Sequence, residues 1–576
     1  MKKEQLKKLI DVAMKRIPAD LVLKNASVID IFTGEIVEGD IAVSDEWIAG
    51  VGSYEGVKEI DASNLFASPG LIDSHIHIES SYLTPEEFGS LVVPHGTTTL
   101  IADPHEIVNV NGFDAMEYMI KAGERTALDI RYMFPSSVPA TDFETAGATI
   151  TSGDMTGVLE RQDILGFGEF MNSVGVFLAD DESLNKLMHA HDAGVVVDGH
   201  SPGLKDEALN AYIAAGIKTD HECTSIEEMN DRISRGMYVL LRQGSASHDL
   251  ERLVHGVTPR NYRRCLLCSD DRQPKTIFEH GHLEHHLRIC REAGLDVYTS
   301  IAMASLNAAE CYRLYDRGAI APGLRADIVL FENLDNFDVK QVFIGGEEVA
   351  RDGEYLPEID KYPTDTVSSS MHVKNYNIDR LNLKLKSDKV HAIKVLPGGV
   401  DTKDEIVRVR RDEANNFVFD PDIDVAKIAV IERHQESGNV AVALLKDYGI
   451  KLGAIALSIA HDSHNIICVG TNDIDMDLAI RTLIEQEGGF VLVREAEILR
   501  ATPLPVAGLM TDRSAEWINA ELDILHDIAI RDLKVSEDVD PLMTLCFMAL
   551  PVIPELKITD KGLFDVVKFE FIDIEA

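Results

Sequence analysis

Hydrophobic and polar positions change rhythm several times along the chain. Residues 4–16 set Leu6, Ile10, Val12 and Ala13 near one helical face, and Ile17-Pro18 ends that helix. Residues 20–60 switch to short strands, with glycine turns predicted at Gly34, Gly39, Gly50 and Gly52. From 66 to 320, short apolar runs end in His, Asp, Glu or Gly and lead into helix-like segments. Leu71-Ile72-Asp73-Ser74-His75, Thr98-Thr99-Leu100-Ile101-Ala102-Asp103, Ile164-Leu165-Gly166-Phe167-Gly168-Glu169, Val195-Val196-Val197-Asp198-Gly199-His200, Thr219-Asp220-His221 and Cys265-Leu266-Leu267-Cys268-Ser269-Asp270 are of this kind. Repeated strand-then-helix units predict an α/β fold built on a parallel, TIM-like (β/α)8 barrel. In such a barrel the polar strand ends all meet at one face. Strands return at Ala326-Asp327-Ile328-Val329-Leu330-Phe331 and Gln341-Val342-Phe343-Ile344-Gly345-Gly346. Pairing them with the N-terminal strands would insert the barrel into one small β-sandwich. The expected organisation is therefore a helix and half-sandwich over 1–65, the barrel over 66–320 and the rest of the sandwich over 321–365. A linker at 357–375 overlaps the end of that segment, and a C-terminal α/β domain follows over 376–576. In that domain Lys427-Ile428-Ala429-Val430-Ile431 and Ile466-Ile467-Cys468-Val469-Gly470 read as buried strands.

Composition narrows the function classes. A formal net charge of -42 over 576 residues repels phosphate backbones, so nucleic acid is not an expected partner. Seven cysteines, an odd and sparse set, do not form a disulfide framework. No apolar run reaches the roughly 18 residues a membrane span needs, and the basic start Met1-Lys2-Lys3 lacks an apolar signal region after it. A cytoplasmic protein without membrane partners is expected.

The chemistry starts at His75 and His77. On a strand, i and i+2 share a face, so both imidazoles point the same way. Alone the pair is a weak signal, but Glu169, His200, His221 and Asp270 each close another apolar run. One cation needs about three or four protein ligands, so six suggest two divalent ions, bridged by Glu169 and a hydroxide. Such ions acidify bound water to a pKa near 7, which supplies a nucleophile at neutral pH. Other clusters carry competing readings. Asp103-Pro104-His105-Glu106 is either a ligand group or a solvated loop. His282, His285 and His286 fit a solvated or capping helix face. His461-Asp462-Ser463-His464 offers a second metal site without an evident third ligand, or else a turn or interface. Glu432-Arg433-His434-Gln435-Glu436 reads as surface, and Cys265 and Cys268 as core.

These motifs resemble the amidohydrolase superfamily and, in detail, its adenine deaminases. The likeness rests on Ser74-His75-Ile76-His77-Ile78-Glu79-Ser80-Ser81, His95-Gly96-Thr97-Thr98-Thr99, Asp103-Pro104-His105-Glu106, Gly168-Glu169-Phe170-Met171-Asn172, Asp198-Gly199-His200 and Ser269-Asp270-Asp271-Arg272. It continues through Ala460-His461-Asp462-Ser463-His464-Asn465, Val469-Gly470-Thr471-Asn472-Asp473 and Ala549-Leu550-Pro551-Val552-Ile553-Pro554-Glu555, so it spans nearly the whole chain. The resemblance implies hydrolytic deamination of adenine to hypoxanthine and ammonia, in purine salvage, by a metal-activated hydroxide. The ligands would be His75, His77, Glu169, His200, His221 and Asp270, with manganese or iron ahead of zinc. Asp270 would shuttle the proton, Glu169 would bridge, and Asp103 and Arg242 would position substrate or ligands. A purine base is the implied partner, and a homo-oligomer, as a dimer, the expected assembly. Gln243 stands where the family pattern leads one to expect an acidic residue, which leaves adenine or a modified purine open. Two other classes stay in view: a cyclic-amide hydrolase on the same barrel, and a non-catalytic scaffold with a relict site.

Overall fold

A computed structural model describes residues 1–396 and 401–576. The N-terminal helix Lys3–Ala13 forms as expected, but its buried face is Leu9 and Val12, while Leu6 and Ile10 are exposed. Leu9 and Val12 pack with Val22, Ala42 and Ala49 of the first strands, and that packing sets the helix's rotation. Gly34 does sit in a turn, with φ of 73°. Gly39 and Gly50 instead lie inside the strands Glu35–Ser44 and Trp47–Gly52. A Cβ on Gly50 would come within 2.3 Å of the Tyr54 hydroxyl, so the glycine serves close packing.

The strand Ala19–Asp30 pairs antiparallel with Glu35–Ser44 and parallel with Phe66–Pro69. Phe66–Pro69 in turn pairs antiparallel with Ile328–Phe331, with Val329 opposite Ser68. Strands from before and after the barrel therefore share one nine-stranded sheet. The barrel leaves that sheet after Pro69.

Eight parallel strands make the barrel: β1 Leu71–Ile76, β2 Thr97–Ala102, β3 Asp129–Phe134, β4 Ile164–Phe170, β5 Val196–Gly199, β6 Thr219–Asp220, β7 Tyr238–Arg242 and β8 Cys265–Cys268. Backbone hydrogen bonds run in chain order through β1–β5 and through β6–β8. The Lys218 amide donating to the Val197 carbonyl at 3.0 Å joins the two sets. The ring closes where Asp270 donates to the His75 carbonyl at 3.0 Å and His77 donates to the Asp270 carbonyl at 3.3 Å. Inside, Ile72, Ile101, Met133, Val196, Leu240 and Leu266 form a packed layer with Ala308 and Tyr312 against it, so the barrel is filled. Cys265 and Cys268 are fully buried, as core residues.

Beyond the barrel, eight strands form a sheet in which only Lys389–Val395 and Val440–Lys446 pair parallel. The strand expected at Lys427–Ile431 runs over Val425–Ile431, and it and Ile466–Gly470 are central and completely buried. The helix Asp473–Glu485, capped by the Asn472 side chain, packs its Met476, Ala479, Ile480 and Leu483 on one face. Helix and strand are both present, as expected, but most neighbouring strands pair antiparallel. Arg433, expected at the surface, is fully buried. Its guanidinium donates to the Ser370 hydroxyl at 2.8 Å and the Ala507 carbonyl at 3.0 Å, which satisfies the charge it takes inside.

Candidate metal centre and active site

The six strand-end residues converge at the C-terminal mouth of the barrel. A register shift in β1, where Asp73 pairs with Leu100 but Ile76 pairs with Ala102, inserts one extra residue into the strand. This bulge turns His75 inward although Ile72 also points inward. His77 then follows on the same side. The Nε2 atoms of His75 and His77 are 3.2 Å apart, and Asp270 Oδ1 lies 3.6 and 3.2 Å from them. His77 Nδ1 donates to the Asp103 carbonyl at 2.8 Å, which leaves Nε2 a bare lone pair. Lone pairs this close repel unless a cation lies between them, so the donor set fits a divalent ion.

Glu169 spans two groups of ligands. Its Oε2 is 3.1 Å from both His200 Nδ1 and His221 Nε2, while Oε1 is 3.6 Å from His77 Nε2. Burial works to raise the Glu169 carboxyl, but His200 and His221 outweigh it and hold the group well below the usual carboxylate range. Asp270 behaves alike. Burial pushes it up, and His75, His77 and Arg242 pull it well below the usual value. Asp103 underpins both groups, because its Oδ2 accepts the Glu169 amide at 2.8 Å while its carbonyl holds His77. Gly168 permits this approach; a Cβ there would lie 2.2 Å from Asp103 Oδ2.

Arg242, the last residue of β7, donates to Asp270 Oδ2 at 2.9 Å and to Asp249 at 3.1 Å, and it contacts Glu222. Glu222 directly follows His221 and lies 3.3 Å from its Nε2, an acidic neighbour the sequence reading passed over. Gln243 is turned away from the mouth, with its amide 3.0 Å from both His248 Nδ1 and Glu251 Oε1. It does not line the cavity itself, but its partner His248 does, so it reaches the site at one remove.

The remaining clusters separate. His282 and His286 are fully buried, against the solvated face expected of them. His282 Nδ1 sits 2.8 Å from the Thr97 hydroxyl and His286 Nε2 3.1 Å from the Cys268 carbonyl, so both anchor the outer helix to the barrel wall. The Asp103–Glu106 run proves to be a buried part of the site and not a solvated loop. His461 and His464 do have a third partner. Glu106 Oε1 is 2.5 Å from His461 Nδ1 and Oε2 is 2.5 Å from His464 Nε2, across 355 and 358 residues of sequence.

Comparisons with known proteins bear on this geometry. Residues 66–349 match the amidohydrolase family, and residues 400–570 match the adenine deaminase C-terminal domain. Over its full length, and over all of each relative, the chain is 55% identical to adenine deaminase 2 of Desulfotalea psychrophila and 51% identical to adenine deaminase of Ligilactobacillus salivarius. The chain belongs to the adenine deaminase family. It is thus a hydrolase of the amidohydrolase family, whose use of divalent metal makes the converged His and carboxylate groups its candidate metal ligands. Among solved structures, β-aspartyl dipeptidase of Fervidobacterium islandicum AW-1 superposes with a TM-score of 0.46 at 17% identity, over 59% of this chain and 98% of that one.

The adenine deaminase C-terminal part roofs the mouth. A cavity of about 520 Å³ opens over Glu169, His200 and Asp270, and its far wall is Phe547, Leu550, Val552 and Ile553, with His461 and Asp462 beside Glu106. An apolar wall facing a polar floor suits a flat, heteroaromatic ligand of modest size. No helix among the described residues is long and apolar enough to cross a membrane.

Proposed function

We propose that this enzyme deaminates adenine hydrolytically, giving hypoxanthine and ammonia. The observation that carries the reading is Glu169, whose Oε1 lies 3.6 Å from His77 and whose Oε2 lies 3.1 Å from His200 and His221 on the floor of a cavity, in a chain akin over its full length to proteins named adenine deaminase. His75, His77 and Asp270 would hold one divalent ion, His200 and His221 a second, with Glu169 between them. The set mixes imidazole and carboxylate without thiolate, which suits zinc, iron or manganese, and only the resemblance to adenine deaminases ranks manganese and iron ahead of zinc. Two such ions would supply a water acidic enough to attack at neutral pH.

The protein's own groups then direct the reaction. Arg242 keeps Asp270 ionised, so Asp270 stands ready as a base. Asp270 takes the proton released as oxygen adds to C6 of the ring and passes it to the departing amine. Asp103 acts through others, fixing the His77 tautomer and the Glu169 backbone. Seven free, buried cysteines support a reducing, cytoplasmic setting.

Ammonia release across a panel of purine bases, with metal content measured on the same sample, tests the reading. Adenine should be the preferred substrate, with two equivalents of manganese or iron per chain. Ring opening of a cyclic amide in place of ammonia release, or less than one metal per chain in active protein, would overturn it.

A further inference from the structure

Glu106, His461 and His464 are three buried groups that the mechanism above leaves unused. Their protons close pairwise. The Ala460 amide donates to His464 Nδ1 at 3.2 Å, so His464 must carry its proton on Nε2, and that proton goes to Glu106 Oε2. A protonated nitrogen is no metal ligand, so the trio is not a further cation site. It is a clamp on one ring. The other Glu106 oxygen takes His461 Nδ1, the His461 amide donates to the Cys546 carbonyl at 3.0 Å, and Phe547 stacks on the imidazole at 4.4 Å with 14° between planes.

What the clamp leaves free is His461 Nε2. Among the described residues it has no hydrogen-bond partner, it is not sealed in the interior, and His461 lines the cavity above the metal centre. A carboxylate on Nδ1 with Nε2 facing a substrate pocket is the arrangement that fixes an imidazole for directed hydrogen bonding. We propose that His461, supplied by the C-terminal part of the chain, is a substrate-contacting specificity residue whose Nε2–H donates to a ring nitrogen of the bound purine. Burial works to lower this imidazole and Glu106 overrides it, raising it to about 9, so both ring nitrogens carry protons at neutral pH. The apolar wall of Leu550, Val552 and Ile553 beside it leaves the base as the moiety to be read.

This inference rests on the deaminase reading, and the experiment separates the two. The wild-type enzyme is assayed for ammonia release from adenine with its metal content, and failure there sinks the deaminase reading alone. His461→Ala and His461→Gln, each checked for two metals per chain and an unshifted melting temperature, are then compared with wild type. The probes are adenine and its analogues with CH in place of N1, N3 or N7, the analogues measured as competitive inhibitors. A charged hydrogen bond lost at the base predicts that His461→Ala weakens adenine kcat/KM about 10- to 100-fold, with partial recovery in His461→Gln, which keeps a donor. The analogue lacking the partner nitrogen should lose less than about threefold, while the other two lose as adenine does. Equal losses for all three analogues would assign His461 a structural role, and no loss for adenine would remove it from the site; either result overturns the proposal.

Discussion

Asp270 faces two ways: Oδ1 toward the two β1 imidazoles and Oδ2 toward Arg242. Its amide variant keeps the shape and loses the base. Asp270→Asn should lower kcat by about 10²- to 10⁴-fold in an ammonia assay, with protein folded as judged by circular dichroism. Arg242 acts through the same carboxylate. Because its guanidinium helps pull the Asp270 carboxyl down, Arg242→Met lets that group rise toward its ordinary value. The base form is then lost at higher pH, so the acid limb of the kcat/KM profile should move upward in pH; an unmoved limb would detach Arg242 from Asp270's ionisation. Gly168 is the third case. A methyl there meets Asp103 Oδ2 at 2.2 Å and must push apart the two strand ends that Asp103 ties together. Gly168→Ala should lower activity at least about tenfold, on the reasoning that a misplacement of about 1 Å is that damaging.

At the scale of elements, a half-buried carboxylate is among the ties between the barrel and the nine-stranded sheet. Asp129, at the start of β3, receives Arg131 at 2.8 Å, Arg325 at 2.5 Å and Arg317. Burial pushes its carboxyl up, but the three guanidinium groups overcome that and bring it to about 2. A carboxyl depressed in the folded state stabilises fully above its unfolded value of about 3.9, and that contribution fades as pH falls through about 2. Asp129→Asn should thus lose about 2 kcal/mol near neutral pH by urea titration, with the gap to wild type narrowing in acid. The barrel strands and their polar ends were legible in the sequence because each apolar run stops at its functional residue. Asp103 was visible for the same reason. The β1 bulge was not, since a register shift is a property of two strands. Nor was the Glu106–His461–His464 trio, whose members come from separate domains. The Lys3–Ala13 helix shows the same limit, because its rotation is set by Val22, Ala42 and Ala49 on other strands. Glu222 was within reach, as the residue next to a predicted ligand. The buried Arg433 could not be told from a surface charge, because its carbonyl partners come from distant loops.

On the scale of the whole molecule, the amidohydrolase barrel and the loops of the C-terminal part line one cavity together. Stripping metal with a chelator should abolish ammonia release and lower the melting temperature, and manganese should restore both. The thermal shift should grow with free metal, because an ion that binds only the native state stabilises it by mass action. The seam at Asp270 carries a further consequence for how the protein matures. The residue that completes the barrel's hydrogen bonding, with its backbone at a φ of 57°, is also the one whose carboxylate completes the first ligand group. β1 and β8 are the first and last strands made, so their ligands meet only after the entire ring has assembled. A chain whose ring is still open therefore lacks the His75–His77–Asp270 group, and an ion that needs this group has to wait for the closed barrel.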